Sequence, residues 1–262
     1  MEQTQNSIKI VRGSELQHTL SQSRWLLHSL LPASSCVFLI AEPKVGKSFC
    51  ALAMGLAVAS GKNCFGSVVT METGPVVHLA AEDASWIVGE RLSGIASAMD
   101  CNNQDLSKLH IIDRSSEIFL DDQESFDRLR SALLEIRPKL VTLDPLSQIL
   151  CRTHESNAKQ MAEVLRRVRK LQTELDCTVL ICHHTRKDSG KGNINSRTRG
   201  SSFIPSFWDG ALLAEKSFNG IIRLQSEWKG FAPTPETYLR LQKCNGGFGP
   251  VAIGFDSNDK DS

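Results

Sequence analysis

The chain has 262 residues, 41% hydrophobic and 23% charged, a balance that supports a sizeable buried core and excludes disorder as the main state. Thirty basic against 29 acidic residues leave a formal charge of +1, so the global basic field of an obligate nucleic-acid binder is missing and any such contact must be local. The eight cysteines, at 36, 50, 64, 101, 151, 177, 182 and 244, are scattered, mostly inside apolar runs, without a CxxC pair or a zinc-site spacing. Buried thiols in a reducing cytosol are the expectation. The start, Met1 to Asn6, lacks the basic and apolar regions of a secretion signal, and apolar stretches such as 51–59 fall short of the ~18 to 20 residues that span a bilayer. A cytoplasmic protein without a membrane partner is expected.

Residues 36–41 form a short apolar, β-rich run that breaks at Glu42 and Pro43 and reaches Gly46. A helix from Lys47 to Ser60 follows, with Gly61 where a C-cap glycine belongs. A second buried strand spans 76–81, and Leu92, Ile95, Ala96 and Met99 recur at helical spacing over 85–99. Leu109 to Ile112 reads as a strand, then a helix over 123–136 places Phe126, Leu129, Leu133 and Ile136 on one face before Pro138 stops it. Leu140 to Leu143 is the next strand, ending at Asp144 and Pro145. A helix from about 157 to 175 buries Ala158, Met161, Leu165, Val168 and Leu171 and exposes Arg166, Arg167, Arg169 and Lys170; the strand 178–182 then ends in His183 and His184.

Strands and helices alternating at this rhythm predict an α/β fold, a mostly parallel sheet with helices on both faces. From Gly210 the pattern changes to strands alone, at 210–215, 221–228, 238–243 and 251–255, with turns at Asn219-Gly220 and over 245–247. These predict C-terminal antiparallel hairpins extending the sheet. The expected organisation is an N-terminal segment, 1–33, packed on one domain, 34–255, with a disordered tail, 256–262.

The residues from Ala41 to Ser48 match the phosphate-loop pattern G-x-x-x-x-G-K-[ST] except at the first glycine, which is Ala41 here. Strand, loop and helix N-terminus together aim backbone N–H groups and the positive helix end at an anion. The expected ATP-binding set is Glu42, Pro43, Lys44, Val45, Gly46, Lys47, Ser48 and Phe49. Lys47 would bridge the terminal phosphates, and the Ser48 hydroxyl would ligate Mg²⁺ together with Asp144 at the end of its own strand. A positive φ at Ala41 would cost roughly 1 kcal/mol. Hydrolysis needs a base for water: Glu82 leads and Asp83 is its rival. Parallel strands bring their C-terminal ends to one edge, so Glu82, Asp144, His183 and His184 should converge there. Adjacent histidines on a strand point to opposite faces, so one is expected at the γ-phosphate while the other packs. His78, inside a strand, reads as a core histidine.

Taken together these residues resemble the RecA-type P-loop ATPases of the AAA_25 group, related to the hexameric plasmid replicative helicase RepA. The resemblance runs from about Trp25 to Pro233 and rests on Leu30 to Pro32, Pro43 to Ser48, Leu79 to Asp83, Leu143 to Ser147, Asn157 to Met161, His183 to Lys187 and Arg199 to Ser202. It implies that Glu82 activates water, that Lys47, Ser48 and Asp144 hold phosphate and metal, and that His183 and His184 occupy the γ-phosphate sensor position. It also implies a homo-hexamer with ATP between subunits. Asp209 stands where the plasmid helicase has its arginine finger, so Arg199 or Lys229 is expected to reach a neighbour's γ-phosphate. The segment 185–198 carries Arg186, Lys187, Lys191 and Arg197 against Asp188, with Gly190 and Gly192 between them and no aromatic residue. In a ring, this segment and Arg199 would give single-stranded DNA a basic channel. The expected function is an ATP-hydrolysing replicative helicase or DNA-remodelling motor. The alternative is an ATP-dependent switch or adaptor that recruits partners without unwinding.

Overall fold

The apolar pieces Trp25–Leu27 (β1) and Leu31–Pro32 (β2) pair antiparallel as a small hairpin, and Leu26, Leu27, Leu30 and Leu31 are buried in the main core. The structure, a computed structural model, describes residues 10–15, 25–185, 194–198, 200, 203–217, 219–230 and 232–253. The tail expected over 256–262 lies outside the described residues. Cys36–Ala41 forms β3, all six residues buried, and the chain then enters helix α1, Lys47–Ser60. Eleven α1 residues, Lys47 to Ala59 apart from Ser48 and Phe49, are buried, as befits a helix apolar on nearly every side. Covering Leu52, Met54 and Leu56 contributes roughly 2 kcal/mol each. Gly61 caps α1 in the left-handed region, φ 82°, its N–H donating to the Ala57 carbonyl.

Beyond α1 the alternation continues with β4 (Val76–Ala80), α2 (Ser85–Ala98), α3 (Asn103–Leu106), β5 (Leu109–Asp113), α4 (Gln123–Ile136), β6 (Leu140–Asp144), α5 (Ala158–Leu175) and β7 (Thr178–His184). Then come α6 (Ile194–Arg197), α7 (Phe203–Phe207), β8 (Gly210–Lys216), β9 (Ile222–Trp228), β10 (Thr237–Cys244) and β11 (Gly247–Ala252). Nine strands form one sheet in the order β11-β10-β9-β8-β3-β7-β6-β4-β5. The six from β8 to β5 are parallel, while β9, β10 and β11 are antiparallel. Alternation within β3 sends Val37, Leu39 and Ala41 to the α1–α2 side and Cys36, Phe38 and Ile40 to the α4–α5 side.

The predicted α/β architecture and most boundaries hold. The last strand does not: in place of 251–255 it begins at Gly247, which pairs with Cys244 across the two-residue turn Asn245-Gly246. The turn packs closely on α2: a Cβ on Gly246 would collide with the Ser93 side chain, one on Gly247 would meet the Glu90 carbonyl at 3.0 Å, and one on Gly94 of α2 would collide with the backbone of Phe248. Two of the arginines expected in solvent on α5 turn back onto protein. Arg167 donates to the Leu120 carbonyl at 2.8 Å, and Arg169 makes an ion pair with Asp209 at 2.6 Å while stacking 4.8 Å from the Phe207 ring centroid. Asp209 also accepts the Cys36 N–H at 2.7 Å, tying the start of β3 to the segment before β8. Among the cysteines, all free, Cys36, Cys50, Cys64, Cys177 and Cys182 are buried, whereas Cys151 is exposed and Cys101 and Cys244 are intermediate. No helix among the described residues is long and apolar enough to cross a membrane.

Candidate nucleotide site

At the C-terminal edge of the sheet, β3 gives way to the loop Glu42–Gly46 and then to the α1 N-terminus. Ala41 is the final residue of β3 and pairs with both His184 and Ala214, so it is extended and carries no strain. The cost that a positive φ at this position would carry does not arise. Left-handed backbone falls instead on Lys44, φ 67°, and on Gly46, φ 112°. Gly46 is doubly required, since a Cβ there would also meet Ile222 Cδ1 at 2.9 Å. No side chain caps α1, so its first N–H groups remain directed at the loop.

A cavity of about 360 Å³ opens here, lined by the loop residues Glu42, Pro43, Lys44, Gly46, Lys47, Ser48 and Phe49 together with Glu82, Asp83, Arg91, Asp144, His184 and Leu241. Val45, expected in the binding set, is turned into the core and is buried. Lys47 is buried as well, and its ammonium sits 3.4 Å from both the His183 carbonyl, to which it donates, and His184 Nδ1. Ser48 and Asp144 face the same cavity, Asp144 only 5% exposed at the end of β6.

The two histidines separate as strand geometry demands. His184 lines the cavity, but His183 is fully buried on the opposite face, edge-on to Phe38 with ring centroids 6.1 Å apart and with Nδ1 3.7 Å from Glu155 Oε1. Only the His183 backbone reaches the site. Glu82 and Asp83 separate too. Asp83 is ion-paired with Arg91, whose Nη2 is 3.2 Å from the second carboxylate oxygen, while Glu82 is exposed at the cavity wall. Arg91 also lies 5.5 Å from the Phe49 ring centroid.

Arg91 and Leu241 were not anticipated from the sequence. Arg91 had a faint signal, a cation two turns along the helix that follows the Glu82-Asp83 pair. Leu241 had none, because β10 reaches the cavity only through the curl of the antiparallel strands. Lys229 stands at the other end of the strands: its N–H donates to the Asp209 carbonyl and its ammonium to the Ser206 carbonyl at 2.5 Å. A strand length, about 15 Å, separates that edge from the phosphate loop. Arg199 lies outside the described residues, as do Arg186, Lys187 and Lys191. Arg197, counted among the channel cations, instead points inward to Glu215 at 2.5 Å with its side chain 12% exposed, and Arg223 holds Glu215 from the other side.

The donor set fits an anion and its magnesium. Among the described residues no three His, Cys, Asp or Glu side chains cluster as a metal cage. A hydroxyl and one carboxylate beside a phosphate cradle are instead what Mg²⁺ takes when most of its ligands are phosphate and water.

The sequence profile of the AAA_25 family, an AAA domain, matches residues 4–190. The fold is similar to that of a solved structure described as an ATPase domain, with a TM-score of 0.67 and 14% identity over 92% of this chain and 95% of that one. A KaiC-like protein, PH0186 from Pyrococcus horikoshii OT3, aligns with a TM-score of 0.58 and 13% identity over 87% of this chain and 94% of that one.

Proposed function

Because this chain belongs to the AAA_25 family and is a RecA-like P-loop ATPase, we propose that it is a ring-forming, DNA-dependent ATPase acting as a replicative helicase or DNA-remodelling motor. The loop N–H groups and Lys47 hold the β- and γ-phosphates and disperse their charge. Ser48 and Asp144 would hold Mg²⁺, and when bound the ion neutralises charge that builds on the phosphate oxygens. Glu82 orients the attacking water and accepts its proton; Asp83 is a poorer base because Arg91 occupies it. His184, 3.4 Å from Lys47, reports whether the terminal phosphate is present.

One observation carries the motor reading. The strand that delivers His184 runs directly into the basic segment, and the two ends of that segment are tied together by the Thr185–Thr198 bridge and anchored through Arg197 to Glu215. His184 and the two ends of the basic segment thus share one root. Lys229, at the far edge with its ammonium on the Ser206 carbonyl, does not reach this chain's own site, so a phosphate role for it, as for Arg199, requires a neighbouring subunit in the proposed ring.

The decisive assay measures ATP hydrolysis with and without single-stranded DNA, then unwinding of a forked duplex, with Lys47→Ala as the inactive control. Stimulation and unwinding are expected. Nucleotide-dependent assembly with neither effect would overturn the motor and leave the switch or adaptor.

A further inference from the structure

Beneath Asp144 the sheet contains a polar pair that the proposed function does not use. His78 of β4 and Thr142 of β6 are direct cross-strand partners. They are 1% and 0% exposed, and His78 Nδ1 and Thr142 Oγ1 are both buried without a hydrogen bond to any described residue. A buried polar atom left unsatisfied costs about 1–3 kcal/mol, so two facing each other demand a third party. Side chains at paired positions are close enough to bond directly, yet His78 Nδ1 and Thr142 Oγ1 make no such bond, and a bridging water is the small partner that suits one acceptor or donor on each.

Both residues sit on the Asp144 face of the sheet, since Thr142 precedes Asp144 by the two-residue period of a strand. Around them on that face Val76, Ala80 and Leu140 are apolar, while the Cys182 thiol, on the same face, is engaged with Asp144. The pocket's charges bear on the imidazole from above: burial pushes the His78 pKa down, Asp144 and Asp83 act against that, and Arg91 acts with it. The ring is therefore held neutral, with one donor and one acceptor.

We propose that His78 and Thr142 hold an internal water between them and that this hydrated pair fixes the Asp144 carboxylate for the metal, which makes both of them positioning residues. The water finds its partners in the imidazole, the hydroxyl and the carboxylate. Outer partners of a metal ligand are worth roughly 10–100-fold in metal affinity. The inference rests on Asp144 being the metal carboxylate.

Thr142→Val preserves shape and deletes the hydroxyl, whereas Thr142→Ser retains it. Mn²⁺ is titrated by electron paramagnetic resonance into each protein saturated with a non-hydrolysable ATP analogue. The valine variant and His78→Phe should bind the ion about tenfold more weakly. The serine variant should match wild type, and the affinity for the analogue in the presence of chelator should be unchanged in all of them. Wild-type Mn²⁺ affinity in Thr142→Val, or a crystal structure with the two side chains bonded directly and no water, would overturn the proposal. Asp144→Asn with undiminished Mn²⁺ binding would instead remove the metal role of Asp144, and this inference with it.

Discussion

At the scale of single residues, the site works by giving chemically equivalent neighbours different environments. Of two adjacent carboxylates, Asp83 is engaged by Arg91 and Glu82 is left facing the cavity; of two adjacent histidines, one touches Lys47 and the other is packed on Phe38. These divisions follow from the strand period of two and from a helix that begins at Ser85. They predict opposite phenotypes for neighbouring substitutions. His184→Ala should lower kcat about 100-fold, the size of losing one group that stabilises transition-state charge, with little change in the urea midpoint. His183→Ala should instead cost about 2 kcal/mol of stability by opening a cavity on the α4–α5 face and leave kcat within a few-fold. Equal loss of kcat in both variants would refute the division.

At the scale of elements, loops are held by carboxylates that accept several backbone N–H groups at once. Asp121, in the turn before α4, accepts from Cys151, Arg152 and Thr153 at 2.9, 2.7 and 2.7 Å and so ties down the segment between β6 and α5. Burial by itself would raise its pKa, but these bonds and the Cys151 thiol outweigh it and hold the carboxyl at about 2, below the ordinary 3.8. A depressed folded pKa gives stability that is present above about pH 4 and is lost as pH falls toward 2. Solvent screening reduces it to about 1 kcal/mol. Asp121→Asn should therefore be less stable than wild type by that amount at pH 6, and the gap measured by urea unfolding should close as pH falls through 4 toward 2. A gap independent of pH would contradict the charge-based account. At the opposite edge Asp209 pairs with Arg169 and accepts the Cys36 N–H, so the aspartate at the expected finger position is a structural tie between α5 and β3.

At the scale of the whole molecule, polarity of the sheet sorts function by edge. The phosphate loop, Glu82, Asp144 and His184 lie at the C-terminal ends of the parallel strands, and Lys229 and Asp209 lie at the other. Any DNA contact by a chain of this net charge would have to come through local cations, and Arg197 is spent on Glu215. Under the motor reading, replacing Arg186, Lys187 or Lys191 by alanine should each reduce the slope of log affinity against log salt for single-stranded DNA by roughly 0.7. Arg197→Ala should leave the slope unchanged and lower the melting temperature. A slope that responds to Arg197 and not to the other three would place the DNA contact elsewhere.

By itself the sequence determined the α/β alternation, the boundaries of α1 and α4, and the gathering of Lys47, Ser48, Glu82, Asp144 and His184 at one edge of the sheet, because these depend on local periodicity, capping and short spacing. It also left strain at Ala41 open and suggested a strand at 251–255 and a channel role for Arg197, and contacts distant in the chain decided each of them otherwise. Ala41 is relaxed by pairing with β7 and β8, β11 is drawn forward by the close approach to Gly94, and Arg197 is captured by a carboxylate on β8. Arg91 and Leu241 at the cavity, and the His78–Thr142 pair beneath it, became visible only when strands far apart in the sequence lay side by side. Residue types and spacings specify which groups are available; which of two adjacent groups faces the cavity, and which is spent on a partner, is decided by pairing register and packing across the sheet.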